Sequence, residues 1–134
     1  MELFLVFVLS LLFSALNMLP VLLSAFSVPQ GSIFIGIPHW YEDYFFYLSL
    51  IRQGMTGQWQ AVNWFTTEIL PHYPGYWCYL LLGHISAMTH IEPWIMYNVT
   101  LFLSSVLYLF LVYGVIRHMF PKQPLLRLDL SFYF

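Results

Sequence analysis

Residues 3–26 of the chain read LFLVFVLSLLFSALNMLPVLLSAF and contain no charged side chain. At about 1.5 Å per residue, a helix of this length exceeds the roughly 30 Å hydrocarbon core of a bilayer. A secretory signal peptide would begin with basic residues and have a shorter apolar core, whereas the only charge near this start is Glu2. The stretch therefore predicts a retained first transmembrane span, in which neighbouring helices would stabilise a kink at Pro20.

The composition of the whole chain also predicts a membrane environment. Hydrophobic residues make up 60% of the 134 residues and charged residues 7%, whereas soluble domains carry about 25% charged residues. Because so few charges cannot cover a soluble domain, lipid or partner helices must cover much of the apolar surface. The net charge of −2, with four scattered basic residues, argues against a nucleic-acid partner, which requires clustered Lys and Arg.

Two further runs without charge follow the first span. Residues 75–91 form a short and rather polar run after Pro71 and Pro74, and residues 94–116 form a longer aliphatic run. Read as spans two and three, they give an all-α multipass protein with about three transmembrane helices in a single membrane domain, residues 1–134. Polar side chains in the second run are expected to face other helices, because exposing them to lipid is costly.

The loop between the first two predicted spans, residues 27–74, contains its own helical pattern. Tyr44, Tyr47, Leu48 and Ile51 recur at helical spacing, and the opposite side carries Glu42, Ser49, Arg52 and Gln53. This pattern predicts an amphipathic helix over residues 42–53 or so, lying flat on the membrane surface. We expect Gly54 to end it as a C-cap and Gly57 to let the chain turn back.

The adjacent acids Glu42 and Asp43 at the start of this helix permit two interpretations. Acidic residues in a first helical turn interact favourably with the helix dipole and cap free N–H groups, at about 0.3 to 1 kcal/mol. Alternatively, a carboxylate at the membrane surface acts as a general base or a cation ligand for a substrate whose lipid tail stays in the bilayer.

The order of motifs resembles the N-terminal part of the membrane-embedded glycosyltransferases of the GT-C superfamily, including protein mannosyltransferase-like and lipid A aminoarabinose transferase-like enzymes. The resemblance extends over roughly residues 1–120 and rests on EDYFFYLSLIRQGMTGQW at 42–59, NWFTTE at 63–68, LPHYPGYWCYLLLGHISAM at 70–88 and YGVIRHMF at 113–120. Family members similarly carry an acidic residue or pair in the first extracytoplasmic loop, then a tyrosine-rich surface helix and a Pro-marked entry to span two.

The resemblance implies a function and a set of site residues. Asp43 matches the family's catalytic carboxylate, with Glu42 as its alternate or helper. It would take the proton from an acceptor hydroxyl that attacks a sugar carried on polyprenyl phosphate. Arg52 offers positive charge to the lipid phosphate, although a solvated helix face also explains it. Glu68 and His72 are expected to line the same pocket, unless they are interfacial residues near the entry of span two.

The chain also departs from this family. Such enzymes run to several hundred residues, so we expect an incomplete N-terminal portion that is not active alone. The alternatives are a small non-enzymatic membrane protein that docks onto a larger complex and a transporter or channel subunit. No histidine pair has the i, i+3 or i, i+4 spacing of a helical metal site, so no histidine metal site is predicted, while a divalent cation beside Asp43 stays open.

The predicted orientation follows the resemblance. With three spans, the positive-inside rule favours an extracytoplasmic N-terminus, because that arrangement places all four basic residues in the cytoplasm. The resemblance implies the reverse. We therefore expect an integral plasma-membrane or inner-membrane protein whose first loop is extracytoplasmic, where it meets a polyprenyl-linked sugar donor and further membrane subunits or spans.

Overall fold

The computed structural model describes residues 2–36, 41–63 and 75–120, and these residues form four helices and no strand. The helices are α1 Glu2–Phe26, α2 Tyr41–Met55, α3 Trp77–Thr89 and α4 Pro93–Met119. The predicted all-α class is confirmed for this part of the chain. The helix predicted in the first loop corresponds to α2, which begins and ends within about two residues of the expected bounds.

Helices α1 and α4 are the two long apolar elements. They contain 25 and 27 residues, and by length and composition each is able to cross a membrane. Only 17% of the most apolar window of α1 and 11% of that of α4 are buried. A core helix of a soluble protein would be mostly buried, whereas the described chain leaves most of these two apolar surfaces uncovered. Both lie where the first and third spans were predicted.

The predicted second span over residues 75–91 is wrong. Within the described ranges two helices are long and apolar enough to cross a membrane, not about three. Helix α3 has 13 residues, which is about 20 Å at 1.5 Å per residue and too short for the hydrocarbon core. Left-handed residues bound it on both sides, Tyr76 with φ 61° and His90 with φ 56°. The Ser86 hydroxyl donates to the carbonyl of Ile91, which ties α3 to the residues that follow it.

Helix α3 instead packs against α2 through two glycines. A side chain at Gly54 would overlap the backbone carbonyl of Leu80, and one at Gly83 would overlap that of Ile51 and lie 2.6 Å from the Cα atom of Gly54. The two backbones therefore touch. The role predicted for Gly54 is wrong, because it lies inside α2, whereas Gly57 turns the chain with φ 90° as expected.

The side chain of Gln53 ties the following loop to α2. Its Nε2 atom donates to the Val62 carbonyl and its Oε1 atom accepts from the Val62 N–H, both at 2.8 Å. Gln53 is fully buried, although its place on the polar side of the helical pattern predicted exposure. Burial is possible because the Val62 backbone satisfies both ends of the amide.

The chain divides into two compact units, Met1–Leu19 with Thr100–Phe134 and Pro20–Val99. In the first, the Ser14 hydroxyl donates to that of Ser105 over 3.0 Å, which joins α1 to α4 by a polar contact between apolar helices. The second contains α2, α3 and the beginning of α4, and all residues discussed below as site candidates belong to it.

Candidate functional site

Three helices bring tyrosines together in the second unit. The rings of Tyr47 and Tyr79 stack with centroids 4.6 Å apart and planes 17° apart, and the ring of Tyr97 is nearly parallel to both at 6.2 and 6.5 Å. Tyr44 meets Tyr97 edge-on at 5.2 Å. We call Tyr44, Tyr47, Tyr79 and Tyr97 the tyrosine cluster. Its members come from α2, α3 and α4, so it holds the three helices together by aromatic contacts.

Asp43 lies at the edge of the tyrosine cluster. It is exposed in the first turn of α2, directly before Tyr44 and one turn before Tyr47. Spacing of four and seven residues puts Tyr47 and Leu50 on the same side of the helix as Asp43. A carboxylate in this position is exposed to solvent and lies on the same side of α2 as one ring of the tyrosine cluster.

The other acidic and histidine candidates cannot be placed around Asp43. Glu42 lies in the first turn of α2, but its side chain is outside the described part of the chain, as are residues Glu68 and His72. Their roles stay predictions. Asp43 is therefore the one carboxylate that the described residues place at the tyrosine cluster.

The hydroxyl of Tyr44 is buried beside the chain turn at Gly36. The side chain is 1% exposed, and its hydroxyl has no hydrogen-bond partner among the described residues. Burial, with a smaller contribution from Tyr97, raises the pKa of Tyr44 to about 12, and burial likewise raises the pKa of Tyr79. Both groups are neutral at physiological pH, so neither is a base there; they can only exchange hydrogen bonds.

Arg52 lies on the other side of α2 from Asp43. Nine residues correspond to two and a half helical turns, or about 13 Å along the axis, so the two side chains project from opposite faces. The structure thus does not bring the predicted base and the predicted phosphate-binding cation into one pocket. Arg52 instead borders a separate groove of about 590 Å³.

This groove is formed by the loop after α1, by α2 and by the start of α4. We call it the interfacial groove; its apolar lining is Ile33, Phe34, Ile35, Phe45, Leu48, Pro93 and Trp94. Ser49, Arg52 and Glu92 are its polar members. Sequence reasoning missed Glu92, although a lone acid between two apolar runs was a visible signal.

A histidine contact in α3 was also missed. The ring of His84 stacks on that of Trp59 at 3.9 Å, and its Nε2 atom is buried with no hydrogen-bond partner in the described ranges. The sequence carried no signal for it, because the two residues are 25 positions apart. In residues 2–36, 41–63 and 75–120, no three His, Cys, Asp or Glu residues come together as a metal ion would require.

Comparison with protein-family models, curated proteins and solved structures finds no match to this chain.

Proposed function

We propose that the chain is the N-terminal membrane portion of a glycosyltransferase that moves a sugar from a polyprenyl-phosphate-type lipid to an acceptor. The observation that carries the proposal is the exposed carboxylate of Asp43, directly before Tyr44 and one turn before Tyr47 of the tyrosine cluster. Sugars present C–H faces that pack on aromatic rings and hydroxyls that bond to carboxylates, so this combination suits a carbohydrate.

The reaction requires one proton transfer and one substitution. The Asp43 carboxylate takes the proton from the acceptor hydroxyl while that oxygen attacks the anomeric carbon. The bond from this carbon to the phosphate oxygen breaks, and the phosphate departs with the electron pair, which inverts the anomeric centre. Tyr44 and Tyr79, whose pKa values are raised by burial, are neutral at physiological pH and do not compete with Asp43 as bases.

The interfacial groove does not supply the phosphate site of this reaction. Its cation, Arg52, lies about 13 Å along α2 and on the opposite face from Asp43, whereas a base and a leaving phosphate act on the same anomeric carbon. In this proposal a group other than Arg52 meets the phosphate.

The test is transfer activity of the complete polypeptide encoded by the natural reading frame, in membranes supplied with a synthetic polyprenyl-phosphate sugar. We expect Asp43→Asn to lower the rate of donor consumption by about 10² to 10⁴, the usual contribution of a general base. Asp43→Glu should restore part of it, and Ser104→Ala, an exposed change on α4, should leave it intact. Equal rates in the Asp43→Asn and parent proteins would overturn the proposal.

A non-enzymatic interaction or transport subunit is the second candidate. The apolar surfaces of α1 and α4 favour this candidate. The described chain buries little of them, and helices of a partner protein are one way to cover them. It predicts that Asp43→Asn leaves co-purification of partner membrane proteins unchanged. Loss of transfer activity with retained partners would instead assign Asp43 to catalysis.

A further inference from the structure

The interfacial groove combines an apolar wall with one cation and one anion. Arg52 and Glu92 both border it and are both exposed. Within the described ranges, no hydrogen bond or ion pair engages the guanidinium or the carboxylate. Glu92 immediately precedes α4, where a helix N-terminus stabilises an acid, but that interaction leaves carboxylate oxygens available to a ligand.

The walls of the groove are held in place by contacts of their own. The side-chain amide of Asn98 donates to the Gly36 carbonyl at 3.1 Å and to the Trp94 carbonyl at 2.8 Å. The ring of Phe34 meets that of Trp94 edge-on at 5.9 Å. The loop after α1 is thereby fixed against the first turns of α4, so the groove is formed before any ligand arrives.

The groove lies at one end of a helix suited to crossing a membrane. Pro93 and Trp94 begin α4, and tryptophan at the end of such a helix is typical of the headgroup region. An amphiphile in this region presents its charged groups to Arg52 and Glu92 and its chains to the apolar wall.

We propose that the interfacial groove binds a zwitterionic phospholipid of the phosphoethanolamine type. The guanidinium of Arg52 presents paired N–H donors that match phosphate oxygens, and the Glu92 carboxylate accepts N–H bonds from the primary ammonium group. A phosphocholine headgroup has no N–H to donate, and a phosphoglycerol headgroup has no cation for Glu92. This site lies on the face of α2 opposite Asp43 and is independent of the proposed transferase chemistry.

The test measures lipid retention by the full chain purified in detergent. The protein is titrated separately with phosphatidylethanolamine, phosphatidylcholine and phosphatidylglycerol that have identical acyl chains. Bound lipid is measured by native mass spectrometry. We expect phosphatidylethanolamine to bind about threefold to fivefold more tightly than either rival, the range of one exposed charge pair. Equal binding of all three lipids, or tighter binding of phosphatidylglycerol, would overturn the proposal.

Matched variants assign the two charges. Arg52→Gln should weaken phosphatidylethanolamine binding by about fivefold. Arg52→Lys should bind with an affinity between those of the parent protein and Arg52→Gln. Glu92→Gln should abolish the preference over phosphatidylcholine. Arg117→Gln removes an exposed cation from the other end of α4 and should leave lipid retention unchanged. A loss with Arg117→Gln equal to that with Arg52→Gln would show nonspecific charge attraction and refute the site.

Discussion

At the scale of single residues, Gly36 and Tyr44 form a tightly packed pair in the second unit. Gly36 has φ 92°, a left-handed conformation that L side chains rarely adopt, and a Cβ atom there would overlap the Tyr44 hydroxyl. That hydroxyl is buried with no hydrogen-bond partner among the described residues. Glycine is needed here for two separate reasons, backbone conformation and space.

A double-mutant cycle separates these two reasons. Gly36→Ala should lower the free energy of unfolding by about 1 to 3 kcal/mol. Tyr44→Phe should leave it unchanged or raise it by up to about 1 kcal/mol, because an unbonded buried hydroxyl is removed. In the Tyr44→Phe background, Gly36→Ala should cost about 1 kcal/mol less. The rest of the destabilisation should remain in that background, because the positive φ is unchanged and the Trp94 Cβ atom still lies 3.0 Å from the added methyl.

The measurement is denaturant or thermal unfolding of the four proteins in one detergent, followed by circular dichroism. Additive effects of the two substitutions would contradict the contact between the added methyl and the Tyr44 hydroxyl.

At the scale of elements, the sequence predicted α1, α2 and α4 because each has a local sequence pattern typical of a helix. Long uncharged runs mark α1 and α4, and helical spacing of tyrosines marks α2. Helix α3 lies within the predicted helical segment 75–91, but its 13 residues are too few for the predicted span, because the length of an apolar run does not fix the length of a helix. Its ends depend on left-handed Tyr76 and His90, and neither residue type signals that conformation.

The roles of Gly54 and Gln53 depend on tertiary contacts, so the local sequence pattern predicted them wrongly. Glycine is common just after the end of a helix, which is why Gly54 was predicted to be a C-cap. Its actual role, the close contact with α3 at Gly83, depends on a residue 29 positions away. Gln53 was expected to be solvated, but Val62 satisfies its amide. By contrast, the nine-residue spacing of Asp43 and Arg52 was enough to predict that they lie on opposite faces of α2.

The glycine contact between α2 and α3 can be tested against a glycine that touches nothing. Gly54→Ala or Gly83→Ala pushes two backbones apart and should lower the free energy of unfolding by about 1 to 3 kcal/mol or more. Gly114→Ala is the control, because a Cβ atom there meets nothing within 4 Å. It should raise stability by about 0.5 to 1 kcal/mol through better helix propensity. Similar destabilisation by all three would contradict the close approach.

At the scale of the whole molecule, the loss of the predicted second span changes the expected topology. With three spans, an extracytoplasmic first loop conflicted with the positive-inside rule. With α1 and α4 as the two candidate spans, the same orientation puts Arg117, Lys122 and Arg127 on the cytoplasmic side and leaves only Arg52 outside. Charge distribution then favours the orientation that the sequence analysis expected.

This topology predicts opposite labelling of two single cysteines in a Cys78→Ala background. Asp43→Cys, in the first loop, should react with an impermeant thiol reagent in intact cells. His118→Cys, in the last turn of α4 and exposed, should react only after the cells are opened, because in this topology α4 would cross the membrane between the two positions. Equal accessibility of the two positions would mean that α4 does not cross. The reverse pattern would place the first loop in the cytoplasm, away from the compartment where the proposed transferase works, and would favour an interaction subunit.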